Sequence, residues 1–474
     1  MALSGDIPFL RPTFAALAAL VFLPTTALAH GGEASIVLLL PTGYYLAGAA
    51  IAVAASFILL AIVPAEWSER LGRARLRLGT VRDIPHAPVS LLAFLLLAVL
   101  VAAGYWGTRD PVENPLPATI WTIWWVAFTG LQAITGPLWP HLNPWTGPVR
   151  LIRKLTGPAR TALPFSIGYT IAILQFLAFA WFELVDLAPS DPDRLATAII
   201  LFWLFNLAGI LIFGEKDWME RAEPFSILFR LIGALSPIER TPAGDNHTTL
   251  HLGWPGRALV DAAALPLSGV LFVLLALSTV SFDGLSRTFL WLSAIGINPL
   301  EFPGRSAVVG SSTFGIFATF VGLAALFLGT VWLGCLLTRE TGRWREAAGR
   351  LIHSIVPIAL AFQVAHYLTA LLVDGQNATR ALSDPFATGL NLFGTAGWRT
   401  TTSFLNTLSG VTLIFDSQTI AITIGHVIGI VMAHLIALTV LPSPRKAVTS
   451  QVPLAALMVF YTAFGLWLLA TPRI

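Results

Sequence analysis

Apolar residues along this chain gather in blocks of about 18 to 26 residues, each long enough for a helix to cross roughly 30 Å of hydrocarbon. Ten such blocks lie near 40–63, 88–106, 117–136, 164–184, 194–213, 259–280, 312–337, 352–373, 417–441 and 452–471, separated by segments rich in arginine, proline and glycine. The pattern predicts an all-α fold, a polytopic transmembrane bundle of about ten spans forming one domain over 30–474. No internal repeat and no low-complexity tract interrupts it.

Composition agrees with the pattern. The chain is 56% hydrophobic and 11% charged, with mean hydropathy +0.76, outside the range of soluble domains. Its net charge of +3 comes from 28 basic residues that sit in the loops between apolar blocks. They act as topology determinants rather than as a nucleic-acid surface. With the N-terminus outside, twenty of them fall on the cytoplasmic side, which predicts an N-out, C-out orientation with the long loop 214–258 inside and the loops 281–311 and 374–416 outside. The expected partners are the lipid bilayer and a small-molecule substrate or metal ion. The single cysteine, Cys335, lies in an apolar block and has no intrachain partner for a disulfide.

The N-terminus has the form of a secretory signal. Arg11 precedes the apolar run Phe14 to Leu23, Pro24 breaks it, and Ala27-Leu28-Ala29 supplies a small-x-small cleavage pattern. Cleavage there assigns 1–29 to a signal peptide and makes His30 the first mature residue, offering an amine and an imidazole on the outer face.

Polar groups inside the spans carry the candidate chemistry, because an ionisable side chain in hydrocarbon is costly and faces the bundle interior. The block HSIVPIALAFQVAHYLTALLVDG holds His353 at its cytoplasmic end and then Gln363 and His366 on one helix face; DSQTIAITIGHVIGIVMAHLIAL holds His426 and His434. His366 lies roughly 10 Å below the outer surface at 1.5 Å per residue, and His426 falls at nearly the same depth. The two are expected to face each other, with Gly425 and Gly429 permitting close helix approach. Together with His30 they form a candidate site for a divalent metal, zinc or copper. Haem fits poorly, since the histidine separations on the two helices are unequal. Glu183, Asp283 and Asp416, near the same level, are candidate general bases or ligand orienters, with His353, His434 and Gln363 secondary. No phosphate-binding loop, dinucleotide fingerprint or nucleophile elbow is present in the sequence. The residues leave three classes open: a metal-dependent enzyme near the outer face, a metal or proton-coupled transporter with a ladder of histidines, and a structural or assembly subunit with no chemistry of its own.

The segments HLNPW, LSPIER, LSTVSFDGLS, HSIVPIALAFQVAHYLTALLVDGQ, GHVIGIVMAHLIAL and YTAFGLWLLA, with the N-terminal AHG, resemble bacterial polytopic membrane proteins labelled fenitrothion hydrolase. The resemblance implies a cytoplasmic-membrane enzyme that hydrolyses an organophosphate or related ester. The loop GTAGWRTTTSFLN departs from that pattern by its scarcity of acidic residues.

Overall fold

A computed structural model describes residues 37, 39–159, 161–244 and 246–471. The expected signal peptide, 1–29, and the candidate ligand His30 lie outside the described residues. Nine helices carry the architecture: α1 (Thr42–Ile62), α2 (His86–Trp106), α3 (Thr170–Leu184), α4 (Pro192–Phe213), α5 (Leu267–Ser286), α6 (Val309–Leu337), α7 (Val356–Ala381), α8 (Leu408–Val440) and α9 (Pro444–Ala470). All but α3 are long and apolar enough to cross a membrane, which gives eight such helices among the described residues.

Two of the ten expected spans take another form. Around 117–136 the chain forms a helical turn Pro115–Ala118, a π-helix Thr119–Phe128 and a helix Thr129–Thr135. Around 164–184, Pro164 and Gly168, whose φ of 54° is left-handed, occupy the entry, and the helix begins only at Thr170. Proline has no N–H for the helical ladder and a left-handed residue breaks its geometry, so the apolar block is longer than the helix it forms.

The expectation of purely helical structure also misses a small sheet. Arg75–Arg82 (β1), Ile238–Pro242 (β2) and His247–Gly253 (β3) pair antiparallel in the order β1-β3-β2. Leu76 and Leu78 alternate with Arg75 and Arg77, a period of two that the density of arginine obscures. The sheet ties the segment after α1 to the loop 214–258. Its end is fixed by a buried pair in which Arg257 binds Glu239 through two hydrogen bonds and also donates to the carbonyl of Gly72.

Burial ranks the helices. The apolar window of α5 is 78% buried and that of α1 only 11%, so α5 runs through the middle of the bundle and α1 along its edge. The hydroxyls of Ser278, Thr279 and Ser281 on α5 donate to carbonyls one turn back, which satisfies them without disturbing the packing. α7 and α8 lie close together, as their glycines predict. A Cβ at Gly425 would stand 2.4 Å from that of Ala361, and one at Gly429 would stand 2.7 Å from the carbonyl oxygen of Ser354. The contact sets the position of α7, which presents the polar residues described below.

Gly425→Val should therefore push α7 away and lower stability by about 1–3 kcal/mol, the usual penalty of overpacking. Chemical unfolding in detergent would reveal it, and a stability equal to wild type would show that the helices separate without cost.

Candidate functional site

Three helices bring ionisable groups together at the end of the bundle where α3 and α5 finish. α5 supplies Asp283, one turn before its end, α7 supplies His366 and Tyr367, and α3 supplies Glu183 from its last turn. Gly284 leaves space for the imidazole: a Cβ there would stand 3.7 Å from ring atoms of His366.

Asp283 is the hub. Its Oδ2 accepts from His366 Nε2 at 2.8 Å and lies 2.8 Å from the Tyr367 hydroxyl, while Arg287 Nη2 approaches Oδ1 at 3.4 Å. The carboxylate is almost wholly buried and the imidazole nearly so. A buried charge of this kind persists only when cations and donors surround it. Arg287 supplies the charge and His366, with its proton on Nε2, supplies a donor.

The Tyr367 hydroxyl also lies 2.9 Å from Oε1 of Glu183. One phenol oxygen thus stands within hydrogen-bond distance of two carboxylates while carrying a single proton of its own. It can donate to one of them. The other contact becomes a hydrogen bond only when that carboxyl is protonated and donates to the phenol oxygen.

Two buried polar atoms beside this bridge, Oδ1 of Asp283 and Nδ1 of His366, have no hydrogen-bond partner among the described residues, while the indole nitrogen of Trp125, otherwise unpartnered, is directed at the Glu183 carboxyl. Unsatisfied polar atoms are rare in folded interiors, and a cluster of them marks a place built to take a proton, a water or a solute. Trp125 faces Glu183 from the π-helix, where it packs edge-to-face on Phe179 with ring centroids 4.9 Å apart.

Beyond the bridge lies a layer of arginine. Arg305 donates from Nη1 to the carbonyls of Glu183, at 3.0 Å, and Asp186, at 3.1 Å. Asp186, in the loop after α3, is bound by Arg194 through both carboxylate oxygens. Burial raises the pKa of Asp186, but the hydrogen bonds from Arg194 and from the Ala188 amide outweigh it and hold the carboxyl below its ordinary value.

The other expected residues lie elsewhere. His426 does not meet His366: its Nδ1 bonds the carbonyl of Ile422, its ring packs near Tyr461, and its Nε2 has no partner among the described residues. His366 turns instead to α5, because only there does a buried carboxylate wait for a donor. Asp416 pairs with Tyr45 of α1 and is not part of the cluster. Gln363 reaches the carbonyl of Trp125 at 3.5 Å and lines a cavity of about 40 Å³ beside Thr129 and Val280. His434 pairs with Gln451, and His353 with the carbonyl of Arg350. Among the described residues no three His, Cys, Asp or Glu side chains are arranged to hold a metal ion. His366 and His426 each keep one ring nitrogen without a hydrogen-bond partner, in separate neighbourhoods, and the third expected ligand, His30, lies outside the described residues.

Sequence reasoning missed Tyr367, Arg287, Arg305 and Trp125 as members of the site. Tyr367 adjoins His366, and Arg287 stands four residues after Asp283, the helical spacing of an ion pair. Arg305 and Trp125 have no local signal.

Tyr367→Phe removes the bridge and leaves two buried carboxylates without their shared hydroxyl. The expected loss is about 1–3 kcal/mol of unfolding free energy, measured by denaturant titration beside the milder Tyr461→Phe; no loss would mean that the bridge is not formed.

Searched against family models, curated proteins and solved structures, the chain matches none.

Proposed function

We propose that the chain is a multi-pass protein of a bacterial cytoplasmic membrane that couples passage of a small solute to binding of a proton, with Glu183 as the proton-carrying group. The observation that carries this reading is the single Tyr367 hydroxyl shared by Glu183 and Asp283. Asp283 has Arg287 and His366 to balance its charge; Glu183 forms no ion pair among the described residues. The additional proton that the bridge needs therefore sits on Glu183, which donates to Tyr367, which in turn donates to Asp283.

Loss of that proton sets two negative carboxylates against one phenol oxygen in a medium where charges are poorly screened. The bridge then opens, and α3 is released from α7. A protonated state with the helices tied and a deprotonated state with them parted form the two-state element that coupling requires. His426, His434 and His353 lie successively deeper along α8 and at the entry to α7, each with a single hydrogen-bonded partner, and suit an inward relay.

The orientation that fits is N-out and C-out, with the segment 115–135 and α3 also crossing, for ten crossings. Supporting it, the sheet joins two segments assigned by their arginines to the cytoplasmic side, and Glu183, Asp283 and Arg305 all fall at outer ends.

A second reading follows from Nδ1 of His366, which is buried and without a partner while Nε2 is oriented by Asp283. That pair has the form of a general base and supports the ester hydrolysis implied by the resemblance to fenitrothion hydrolase, with His366 taking the proton of the attacking water. Release of aryloxide from an aryl phosphotriester by wild type but not by His366→Gln would favour it.

Proteoliposomes enclosing a pH-sensitive dye distinguish the readings. With acid outside and a deproteinised bacterial metabolite extract as the source of cargo, wild type should pass protons faster than protein-free vesicles and Glu183→Gln should not. Equal rates for wild type and Glu183→Gln would remove Glu183 from the proton path.

A further inference from the structure

One guanidinium above the site, that of Arg305, has no carboxylate at ion-pair distance among the described residues. Asp186 is paired with Arg194, and Asp283 with Arg287. Arg305 is the third. Its hydrogen bonds go to two backbone carbonyls, and among the described residues no carboxylate lies within ion-pair distance of it. Glu301, four residues earlier, is exposed and forms no ion pair. The carboxyl group that Arg305 could be balanced by is that of Glu183, whose backbone it already grips.

With Glu183 protonated, Arg305 is left without a carboxylate partner among the described residues, because Asp186 and Asp283 are held by Arg194 and Arg287 and the neighbouring Asp191 and Asp193 by Arg109. Backbone carbonyls carry only partial charge and cannot neutralise a guanidinium, and carbonyl contacts from Nη1 leave the rest of its donor fork available. Arg287 stands over the same cluster, with its side chain half exposed at the surface of the bundle. The two arginines are held together by construction: Arg305 binds the main chain of Glu183, Glu183 shares Tyr367 with Asp283, and Asp283 holds Arg287.

We infer that Arg305 and Arg287 form the outer binding site for the solute, and that the solute is a small oxyanion such as a carboxylate or sulfate. This inference rests on the proposed proton-carrying role of Glu183 and assigns its cargo. Proton and anion then bind together. A proton on Glu183 leaves Arg305 uncompensated and able to hold the anion, whereas an ionised Glu183 neutralises Arg305 and repels the anion. The groups that face Glu183 and set this balance are Tyr367 and Asp283 in the bridge, Trp125 from the π-helix, and Arg287 and Arg305 above.

Isothermal titration of the full chain in nanodiscs tests the inference, with sulfate and pyruvate as probes because neither titrates near neutral pH. Titrations in two buffers of different ionisation heat count the protons taken up per anion. Wild type should bind at least one probe, taking up a proton as pH rises through the titration of Glu183. Arg305→Gln should weaken binding at least about tenfold, the loss of one charge-assisted hydrogen bond, and Arg305→Lys should restore most of it. Glu183→Gln, a fixed neutral side chain, should bind the anion without proton uptake. Failure of wild type to bind either probe, or equal binding by wild type and a folded Arg305→Gln, overturns the anion site. Binding that depends on Arg305 but brings no proton at any pH keeps the anion site and contradicts the role of Glu183.

Discussion

A carboxylate buried inside an apolar bundle must be surrounded by donors and positive charge, and Asp283, in the last turn of α5, imposes that demand on everything near it. It lies on α5, the most enclosed of the long helices. His366, Tyr367 and Arg287 answer it from two directions, and Tyr367 extends the network to Glu183 on α3. An unpaired charge at this depth costs far more than any one of these contacts returns. The cluster is therefore a joint that locks α3, α5 and α7 in one arrangement. In the proposed function, the proton content of this joint decides whether it closes.

The packing of the rest serves that joint. Gly425 and Gly429 let α8 lie against α7, so that α7 is supported from behind while its polar residues face α5. The aromatic cluster of Trp124, Trp125, Phe176, Phe179 and Phe225 supports the π-helix from the other side. Such edge-to-face contacts suit a dry interior, where ring quadrupoles are unscreened. The extra residue per turn in the π-helix departs from the 3.6-residue period, and Trp125 faces the only carboxyl of the cluster that lacks a cation.

Much of this arrangement is legible in the chain itself. Eight helices follow from blocks of apolar residues, because length and hydropathy alone decide whether a segment can cross hydrocarbon. Glu183, Asp283 and His366 are recognisable because each is an ionisable group in an apolar setting. Their grouping is not recognisable: depth along a helix can be counted, but rotation about its axis depends on packing with neighbours distant in sequence. That is why His426, at the depth of His366, faces Tyr461 and not His366. The sheet escaped notice for a related reason, since β1 and β3 lie some 170 residues apart and nothing local in either strand names its partner.

The central claim is that Glu183 carries a proton in the closed bridge. Infrared difference spectroscopy of wild type in nanodiscs, following an alkaline pH jump, reads that proton through the C=O stretch that only a protonated carboxyl possesses. The account predicts a band lost at high pH, absent from Glu183→Gln, and shifted in Tyr367→Phe because its hydrogen-bond acceptor is gone. A spectrum without that band, or one in which Glu183→Gln leaves the band in place, would contradict it.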